Sequence, residues 1–251
     1  MKKLLDLPLV GSQHGVEVDN LIVYVHLLMF ALFVGWTAYF LYTIWRFRKS
    51  RHPKADYVGT TTHISSWIEG AVALVEGVLL LLVAVPFWAR AVDQFPPASQ
   101  STVMRITGRQ FNWIARYPGA DAKFGSNRLD LVSNDNQMGI DKTDLAGKDD
   151  VNVEGSEMAV PVGKPVIAHI TSLDVIHSFK VVALRVTQDA NPGMDIPIHF
   201  VPTVTNTYQI QCSQLCGNGH YGMRGIFKVL SQPEFDAWLK SKAGGAAVSY
   251  E

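Results

Sequence analysis

The sequence predicts an α+β membrane protein, in which a hairpin of two transmembrane helices is followed by a domain built from β-strands. Two observations support this fold class. The apolar excess lies in the first 90 residues, in two runs long enough to cross a bilayer. Beyond residue 90, short strand-like runs alternate with Gly, Asn, Asp and Pro, which is typical of a β-sandwich or barrel. We therefore divide the 251 residues into an N-terminal segment with the hairpin (1–95), a β-domain (96–242) and a flexible tail (243–251).

The composition supports a membrane-anchored protein and excludes two other classes. Hydrophobic residues make up 48% of the chain and charged residues only 18%, below the roughly 25% of soluble domains. This balance excludes intrinsic disorder, which requires few apolar and many charged residues. The 22 Lys and Arg equal the 22 Asp and Glu, so the net charge is zero and argues against a nucleic-acid partner.

The first transmembrane helix is predicted at Leu21–Trp45, 25 residues without a charged side chain. At 1.5 Å per residue this helix is about 37 Å long and can cross a hydrocarbon core of about 30 Å. Met1–Lys3 is weakly basic, but Asp6 and Pro8 follow, so the start of the chain is a poor signal peptide. We expect the first helix to be retained as a membrane anchor; a buried core helix is the alternative for either apolar run.

The second helix is predicted at Ile68–Ala89, which is apolar except for Glu69 and Glu76. A carboxylate inside a membrane span is costly and is a functional candidate by default. The segment between the two helices holds five basic residues against one acid, Asp56, which predicts a cytoplasmic loop. The N-terminus and the β-domain then face outward. The five basic residues are Arg46, Arg48, Lys49, Arg51 and Lys54.

Seven strand-like runs and one short helix are predicted in the β-domain. The helix, Pro233–Lys242, places Phe235, Trp238 and Leu239 on one apolar face. The stretch Asp121–Glu157 holds nine acids and four bases and is predicted to be a long acidic insertion between strands. The runs are Thr102–Thr107, Gln110–Tyr117, Pro165–Thr171, Phe179–Leu184, Ile196–Val204, Thr207–Gln211 and Gly225–Leu230.

The only two cysteines lie in one glycine-rich loop, Cys212-Ser-Gln-Leu-Cys216-Gly-Asn-Gly-His220-Tyr-Gly-Met223. The spacing is C-x3-C-x3-H-x2-M. Two thiolates, an imidazole and a thioether form a soft ligand set that prefers copper, whereas zinc does not usually take a thioether. A single disulfide is the alternative, since the domain is predicted to face outward, but it would leave His220 and Met223 without a role.

A second metal ion would require a second histidine. His177 lies 35 residues before Cys212, at the head of a predicted strand. His169 and His199 are the competing candidates. Both lie within alternating strand-like runs, so we expect them to be structural.

Three motifs together resemble subunit II of the haem–copper cytochrome c oxidases. They are D-V-x-H-S-F at 174–179, the C-x3-C-G-x2-H-x2-M loop, and G-x-Q-x-x-W at Gly108–Trp113. The resemblance implies a cupredoxin-like Greek-key β-barrel that holds the dinuclear copper centre CuA. The ligands it implies are the bridging thiolates of Cys212 and Cys216, with His177, His220, Met223 and the backbone carbonyl of Gln214.

The function implied by this resemblance is that of subunit II of a proton-pumping oxidase in a bacterial inner membrane, with the CuA domain on the periplasmic side. The chain would accept electrons from a cytochrome c and pass them to the haem–copper oxygen-reducing site of subunit I. It would be the electron-input subunit of an oxidoreductase and translocase, with no catalytic residue of its own. The expected partners are subunit I, further oxidase subunits and the lipid bilayer. Because no C-x-x-C-H haem motif occurs, we also expect a separate donor cytochrome. A respiratory supercomplex is one setting in which that donor could be held.

Departures from the family pattern affect magnesium and electron input. Gln214 stands where the family has a glutamate that helps to bind Mg²⁺ at the subunit I interface, and an amide oxygen is a weaker ligand for a hard cation, so the sequence leaves magnesium open. Phe111 replaces the usual tryptophan, so Phe111 and Trp113 are the electron-input candidates, with core packing favoured for Trp113. Tyr117 or Tyr221 could extend this patch, and acids of the insertion would rim it.

Glu69 is the proton-path candidate. Counted back from Pro86, it matches the position at which the family places a glutamate near the cytoplasmic end of helix 2. An interfacial glutamate without a proton role is the alternative.

Two rival functions are a copper-free quinol oxidase subunit and a membrane-anchored copper-delivery protein. The complete set of copper ligands argues against the first. An exchangeable delivery site is usually rich in Met or His, whereas seven Met are spread through this chain, which argues against the second.

Overall fold

Both predicted membrane spans are helices in the computed structural model, which describes residues 4–55, 57–59, 61–133, 136 and 138–244. Helix α1 spans Gly15–Arg46. The second span is one helical stretch of 30 residues, Ile64–Asp93. No residue in the apolar window of either helix is buried in the isolated chain, whereas a core helix of a soluble domain is mostly buried. Lipid or partner helices must therefore cover them.

The second span is interrupted by a wider turn. Helix α2 (Ile64–Leu79) passes through a π-helical turn, Leu80–Ala84, into helix α3 (Val85–Asp93). Pro86 lies two residues after the end of this turn; it has no N–H to donate, and its ring collides with the carbonyl four residues earlier in a regular α-helix. The wider turn accommodates that collision without ending the helix. Arg90 near the end of α3 contacts Glu17 near the start of α1 at 2.5 Å, so the two helices are antiparallel.

The β-domain contains ten strands in the described residues, arranged in two five-stranded sheets. The first sheet has the order β3-β2-β1-β5-β8 and the second β4-β10-β9-β6-β7. The pairs β1·β5 and β4·β10 are parallel and the others antiparallel. The strands are β1 Thr102–Arg109, β2 Asn112–Tyr117, β3 Val151–Val153, β4 Glu157–Pro161, β5 Val166–Ser172, β6 His177–Val181, β7 Val186–Ala190, β8 Ile196–Phe200, β9 Asn206–Cys212 and β10 Arg224–Leu230.

The predicted fold class is confirmed: two apolar helices are followed by a cupredoxin-like two-sheet β-domain. Each of the seven predicted strand runs overlaps an observed strand. Three strands were not predicted, because β3 and β4 lie inside or beside the acidic stretch and β7 reads Val-Thr-Gln-Asp-Ala, without an apolar run. The predicted terminal helix is α4, Gln232–Gly244. The predicted flexible tail falls largely on residues 245–251, outside the described residues.

The core lies between the two sheets and is rich in aromatic rings. Phe179 packs at 5.5 Å from Trp113 and at 6.3 Å from Phe227, measured between ring centroids. At the other end, α4 places Phe235 and Trp238 against the ring of Tyr117. Aromatic pairs in these edge-on and tilted arrangements add to the stabilisation from apolar burial.

Glu157 on β4 attaches α4 to the second sheet. Its carboxylate accepts hydrogen bonds from Lys228 on β10 at 2.6 Å, from the Trp238 indole at 3.0 Å and from Lys242 at 3.2 Å. The hydrogen bond from Lys228 contributes most, and these partners together outweigh burial and lower the pKa of Glu157 to about 2.

The insertion is the segment between β2 and β3, residues 118–150, and is shorter than the predicted Asp121–Glu157, whose end holds β3 and the start of β4. Arg116 on β2 is wholly buried and pairs with Asp150 of the insertion, which also accepts a hydrogen bond from the Gly125 N–H. Asp144 accepts the N–H groups of Ser126 and Ala146, and these bonds lower its pKa. Several acids of the insertion therefore hold its own backbone together rather than only solvating its surface.

A segment before α1 packs on the β-domain. The chain forms two compact units, and residues Pro8–Val16 belong with residues from Ala91 onward rather than with the helical unit. The Gly11 N–H bonds the Ala183 carbonyl at 2.8 Å, and the buried Ser12 hydroxyl bonds the Leu184 carbonyl at 2.6 Å. The hydropathy profile does not reveal this arrangement, because the segment is neither strongly apolar nor periodic.

Candidate metal centre

Strand pairing brings the distant histidine to the cysteine loop. Strand β9 ends at Cys212 and pairs antiparallel with β6, which begins at His177, so the two residues lie at the same end of these neighbouring strands. The hairpin between β9 and β10 then returns Met223 beside Cys212, whose N–H donates to the Met223 carbonyl at 3.2 Å. Residues 213–223 form the loop between these strands and carry the remaining candidates.

Cys212 and Cys216 are free thiols at the centre of the cluster, with their Sγ atoms 3.8 Å apart. The Nδ1 atom of His177 lies 3.9 Å from Cys212 Sγ. The Nδ1 atom of His220 lies 3.6 Å from Cys216 Sγ. Each thiol therefore has one imidazole beside it.

Each thiol also has one weaker donor beside it. The Gln214 carbonyl oxygen lies 3.2 Å from Cys212 Sγ, and Met223 Sδ lies 3.7 Å from Cys216 Sγ. The structure thus brings together all six groups that the sequence suggested as ligands. It separates them from His169, which pairs with Asp195 at 3.0 Å, and from His199, which packs on Phe95.

The donor set fits copper. The ligand atoms of His177, Cys212 and Cys216 lie within 4.8 Å of one another, close enough to share one or two ions. Thiolate, imidazole and thioether donors favour copper over hard cations, which prefer carboxylates and waters. Burial raises the pKa of Cys216 to about 11, with the neighbouring Cys212 adding to the shift. Metal binding at neutral pH must therefore release a proton from this thiol.

Two polar residues that support the cluster were not singled out from the sequence, although both lie in quoted motifs. Asp174 accepts a hydrogen bond from His177 Nε2 at 2.8 Å and another from the Gln110 N–H at 2.7 Å. Burial opposes ionisation of Asp174, but the hydrogen bonds, first that of Gln110, outweigh it and lower its pKa. The Gln110 side-chain amide donates to the Cys216 carbonyl at 2.6 Å.

Phe111 and Trp113, the two electron-input candidates, lie in different environments. Phe111 is in the turn between β1 and β2 and is 39% exposed, whereas Trp113 is wholly buried. The Trp113 ring lies edge-on to His177, with centroids 5.9 Å apart. Gly108 permits this packing, because a Cβ atom there would lie 2.9 Å from the His177 ring and 3.1 Å from Trp113.

The two tyrosines named as possible extensions of the patch also differ in exposure. Tyr221 is 82% exposed and Leu215 is 78% exposed, both in the loop of residues 213–223 (the copper loop). Tyr117 is buried, and its hydroxyl bonds the Ala159 backbone, so the expectation that it extends a surface patch is wrong. It belongs to the core between the sheets, and aromatic rings of α4 pack on it.

Glu69 and Glu76 both lie on α2, seven residues apart and so on one face of that helix. Both are exposed in the isolated chain. They are the two acidic side chains of α2, and carboxylates inside a bilayer require a polar partner or a water-filled path.

Known proteins resemble this chain over the domain that holds the cluster. The family profile described as cytochrome c oxidase subunit II, periplasmic domain, matches residues 102–229. The alternative cytochrome c oxidase subunit 2 of Bradyrhizobium diazoefficiens is 31% identical over 219 residues, which cover 87% of this chain and 77% of the relative. Cytochrome c oxidase subunit 2 of Cereibacter sphaeroides is 31% identical over 220 residues, 83% of this chain and 70% of the relative.

Among solved structures, the periplasmic domain of subunit II of cytochrome oxidase of Bradyrhizobium japonicum is 30% identical. It covers 61% of this chain and 99% of its own, with a TM-score of 0.45. The profile match spans more than half of the chain, and the first relative aligns over most of both sequences. The resemblance seen in the three motifs is thereby confirmed, and the chain belongs to the cytochrome c oxidase subunit II family of haem–copper oxidases.

Proposed function

We propose that this chain is the electron-accepting subunit of a cytochrome c oxidase and holds a dinuclear copper centre at Cys212 and Cys216. The observation that carries the proposal is the convergence of six donor groups at one end of the β-domain. Each thiol has one imidazole Nδ1 within 3.9 Å and one weaker donor, the Gln214 carbonyl or Met223 Sδ, within 3.7 Å. A thiol pair flanked in this balanced way suits two equivalent metal ions.

The donor set also indicates what the site can do. A copper pair held by Cys212, Cys216 and the four neighbouring donors would supply a one-electron store that needs little rearrangement on reduction. Six protein donors leave no open position for a substrate, unlike a catalytic metal site with three protein ligands and a water. Oxygen reduction therefore belongs to the partner subunit I, and this chain relays electrons to it.

The surface next to the cluster supports input from a cytochrome c. Phe111, Leu215 and Tyr221 are exposed apolar or aromatic side chains around the copper loop, and Val175 and Ile176 just before His177 are also exposed. Exposed apolar patches of this kind mark protein-binding sites. We place electron input at Phe111, and the buried Trp113 supports His177, against whose ring it packs. Trp113 itself has no exposed surface through which a donor could touch it.

The arrangement of the helices supports a periplasmic β-domain. The basic loop between α1 and α2 follows the rule that such loops remain in the cytoplasm. The segment Pro8–Val16, which leads into α1, packs on the β-domain. We propose an inner-membrane location with Glu69 near the cytoplasmic end of its helix, where it could serve a proton path into subunit I.

The test is copper analysis and EPR of the full chain, purified in detergent and loaded with copper. We expect two copper ions per chain and an EPR signal of one unpaired electron shared equally by two copper nuclei. A single, localised copper or no bound copper would contradict the proposal. Exchange of the bound copper with a weak chelator within seconds would instead favour the rival copper-delivery function.

A further inference from the structure

Asp174 connects two parts of the copper site that the chain reaches by different routes. One carboxylate oxygen, Oδ1, accepts the His177 Nε2–H at 2.8 Å. The other, Oδ2, accepts the backbone N–H of Gln110 at 2.7 Å, in the turn that carries Phe111. Strands β1 and β5 are parallel and end side by side, with Gly108 opposite Ser172. This register places the Gln110 turn next to Asp174.

The conformation of Asp174 is itself fixed. The Val175 N–H donates to Asp174 Oδ1 at 2.7 Å, and the Ser172 hydroxyl, which bonds the Val175 carbonyl at 2.5 Å, closes the same turn. The Asp174 side chain is 28% exposed, whereas His177 is wholly buried. The carboxylate therefore reaches inward from a rigid turn, unlike a mobile surface acid.

The Phe111 turn is tied to the cluster from its other side as well. The Gln110 side-chain amide donates to the Cys216 carbonyl at 2.6 Å. The Phe111 ring lies flat against the copper loop, so closely that a Cβ atom at Gly219 would be 2.5 Å from it. The Phe111 turn is thus held on two sides, by Asp174, which bonds His177, and by the backbone of Cys216.

We propose that Asp174 is a positioning residue that couples the copper-binding geometry of His177 to the placement of the donor-facing Phe111. By accepting the Nε2 proton, Asp174 keeps that proton off Nδ1, the nitrogen that faces Cys212. With its second oxygen it holds the turn on which the donor would dock. The inference rests on the proposed function for its electron-transfer part, whereas the histidine tautomer can be tested without metal.

The principal variant is Asp174→Ala, studied in the full chain within the purified oxidase. Removal of a carboxylate that orients a ligating histidine lowers metal affinity by about 10- to 100-fold. We expect copper to be lost to a competing chelator at a correspondingly lower chelator concentration, together with a changed EPR spectrum. We also expect slower reduction by the donor in samples that are fully loaded with copper.

Asp195→Ala is the matched control. Asp195 also pairs with a histidine, His169 at 3.0 Å, and with Arg105, but these residues are not near the thiols. Loss of this pair should leave copper affinity, EPR spectrum and donor kinetics at the wild-type level. Phe111→Ala is the second comparison, and it should slow reduction by the donor without lowering copper affinity.

The ¹⁵N chemical shifts of the histidines in the metal-free chain provide a readout that is independent of copper. We expect His177 to carry its proton on Nε2 in the wild type and to become a mixture of tautomers in Asp174→Ala. The milder Asp174→Asn retains one acceptor oxygen and is the variant to use if Asp174→Ala does not fold. Its single acceptor should serve His177 or Gln110 but not both.

Wild-type copper affinity and an unchanged His177 tautomer in Asp174→Ala would overturn the inference. Loss of copper affinity without any effect on donor kinetics in loaded samples would overturn the coupling to Phe111. If the wild-type chain itself bound no copper pair, the proposed function would fail, while the tautomer measurement would still decide the role of Asp174.

Discussion

Arg116 and Asp150 form an ion pair in which neither side chain has any exposed surface. The two residues are brought together by the insertion. Arg116 also donates to Asn127, and the Asp150 carboxylate accepts the Gly125 N–H at 2.9 Å, so the pair links three points of the insertion to the sheet.

Asp150→Asn should therefore destabilise the domain strongly. Removing one charge of a buried pair leaves the other uncompensated, at a cost of about 3–5 kcal/mol. The double variant Arg116→Met, Asp150→Leu should recover most of this loss, because it removes both charges. Thermal unfolding of the full chain, followed by near-UV circular dichroism, measures the effect. Asp130→Asn, which breaks an exposed pair with Arg128, is the control and should change little.

Cys212→Ser and Cys216→Ser should each abolish binding of the copper pair. A serine oxygen is a hard donor and cannot replace a soft thiolate that bridges two copper ions. Met223→Leu should be milder, retaining both copper ions with a shifted reduction potential, because an axial thioether tunes a copper site. Copper-to-protein ratios decide the matter. Two copper ions retained in Cys212→Ser would refute the assignment of these ligands.

Phe111→Ala should weaken docking of the donor while leaving the copper spectrum intact. Truncation of an aromatic anchor at an interface costs about 2 kcal/mol, which corresponds to a roughly thirtyfold higher KM for the donor cytochrome. Leu145→Ala, which removes a more exposed apolar side chain in the insertion, is the control. If acids of the insertion steer the donor, raising the ionic strength should slow its reaction too. Kinetics insensitive to both changes would place the docking surface elsewhere.

Glu157 should make attachment of α4 dependent on pH. Its pKa is about 2, below its ordinary value of 4.5, mainly because Lys228 donates to it. A depressed pKa contributes stability that is complete above the ordinary pKa and is lost as the pH falls from about 4.5 towards about 2. The melting temperatures of wild type and Glu157→Gln should differ at pH 7 and converge over that interval. The exposed Glu154→Gln should follow the wild type throughout, and parallel curves for Glu157→Gln would contradict the assignment.

Glu69→Gln should lower turnover of the oxidase if Glu69 serves a proton path. The amide keeps the size of the side chain, so assembly should be unaffected, but it cannot release and take up a proton as a carboxyl group does. Glu76→Gln is the comparison, since Glu76 lies two turns further along the same helix. Oxygen consumption by the purified complex measures the effect. An unimpaired Glu69→Gln enzyme would reject the proton role and favour an interfacial glutamate.

The location of the candidate copper ligands followed from the sequence to an unusual degree. Cys212, Cys216, His220 and Met223 lie within twelve residues, so a single loop brings them together. His177 was a candidate because it heads a predicted strand, and the resemblance implied its role as a ligand, but no local pattern shows that β6 and β9 are neighbours. The two transmembrane helices followed from length and composition alone, since a bilayer sets the number of apolar residues that a span requires.

Burial of particular side chains could not be predicted in the same way. Phe111 and Trp113 are two residues apart and would share a face of one strand, yet the β1–β2 turn exposes the first and the core encloses the second. Tyr117 is buried in the core, where Phe235 and Trp238 of α4, more than a hundred residues later, pack on its ring. Arg116 gave no sign of burial, since its partner Asp150 lies in a stretch whose acids suggested a solvated surface.

By itself, the sequence determined the class of the protein, the two apolar helices and the donor set of the cysteine loop, and it predicted a cytoplasmic basic loop, because each depends on residues close together in the chain. The tertiary structure alone decided that Asp174 bonds both His177 and the Gln110 turn, that the Pro8–Val16 segment packs on the β-domain, and that Phe111 is the exposed ring. These relationships depend on which strands lie side by side, and strand order is fixed by burial of the whole sandwich rather than by any local pattern.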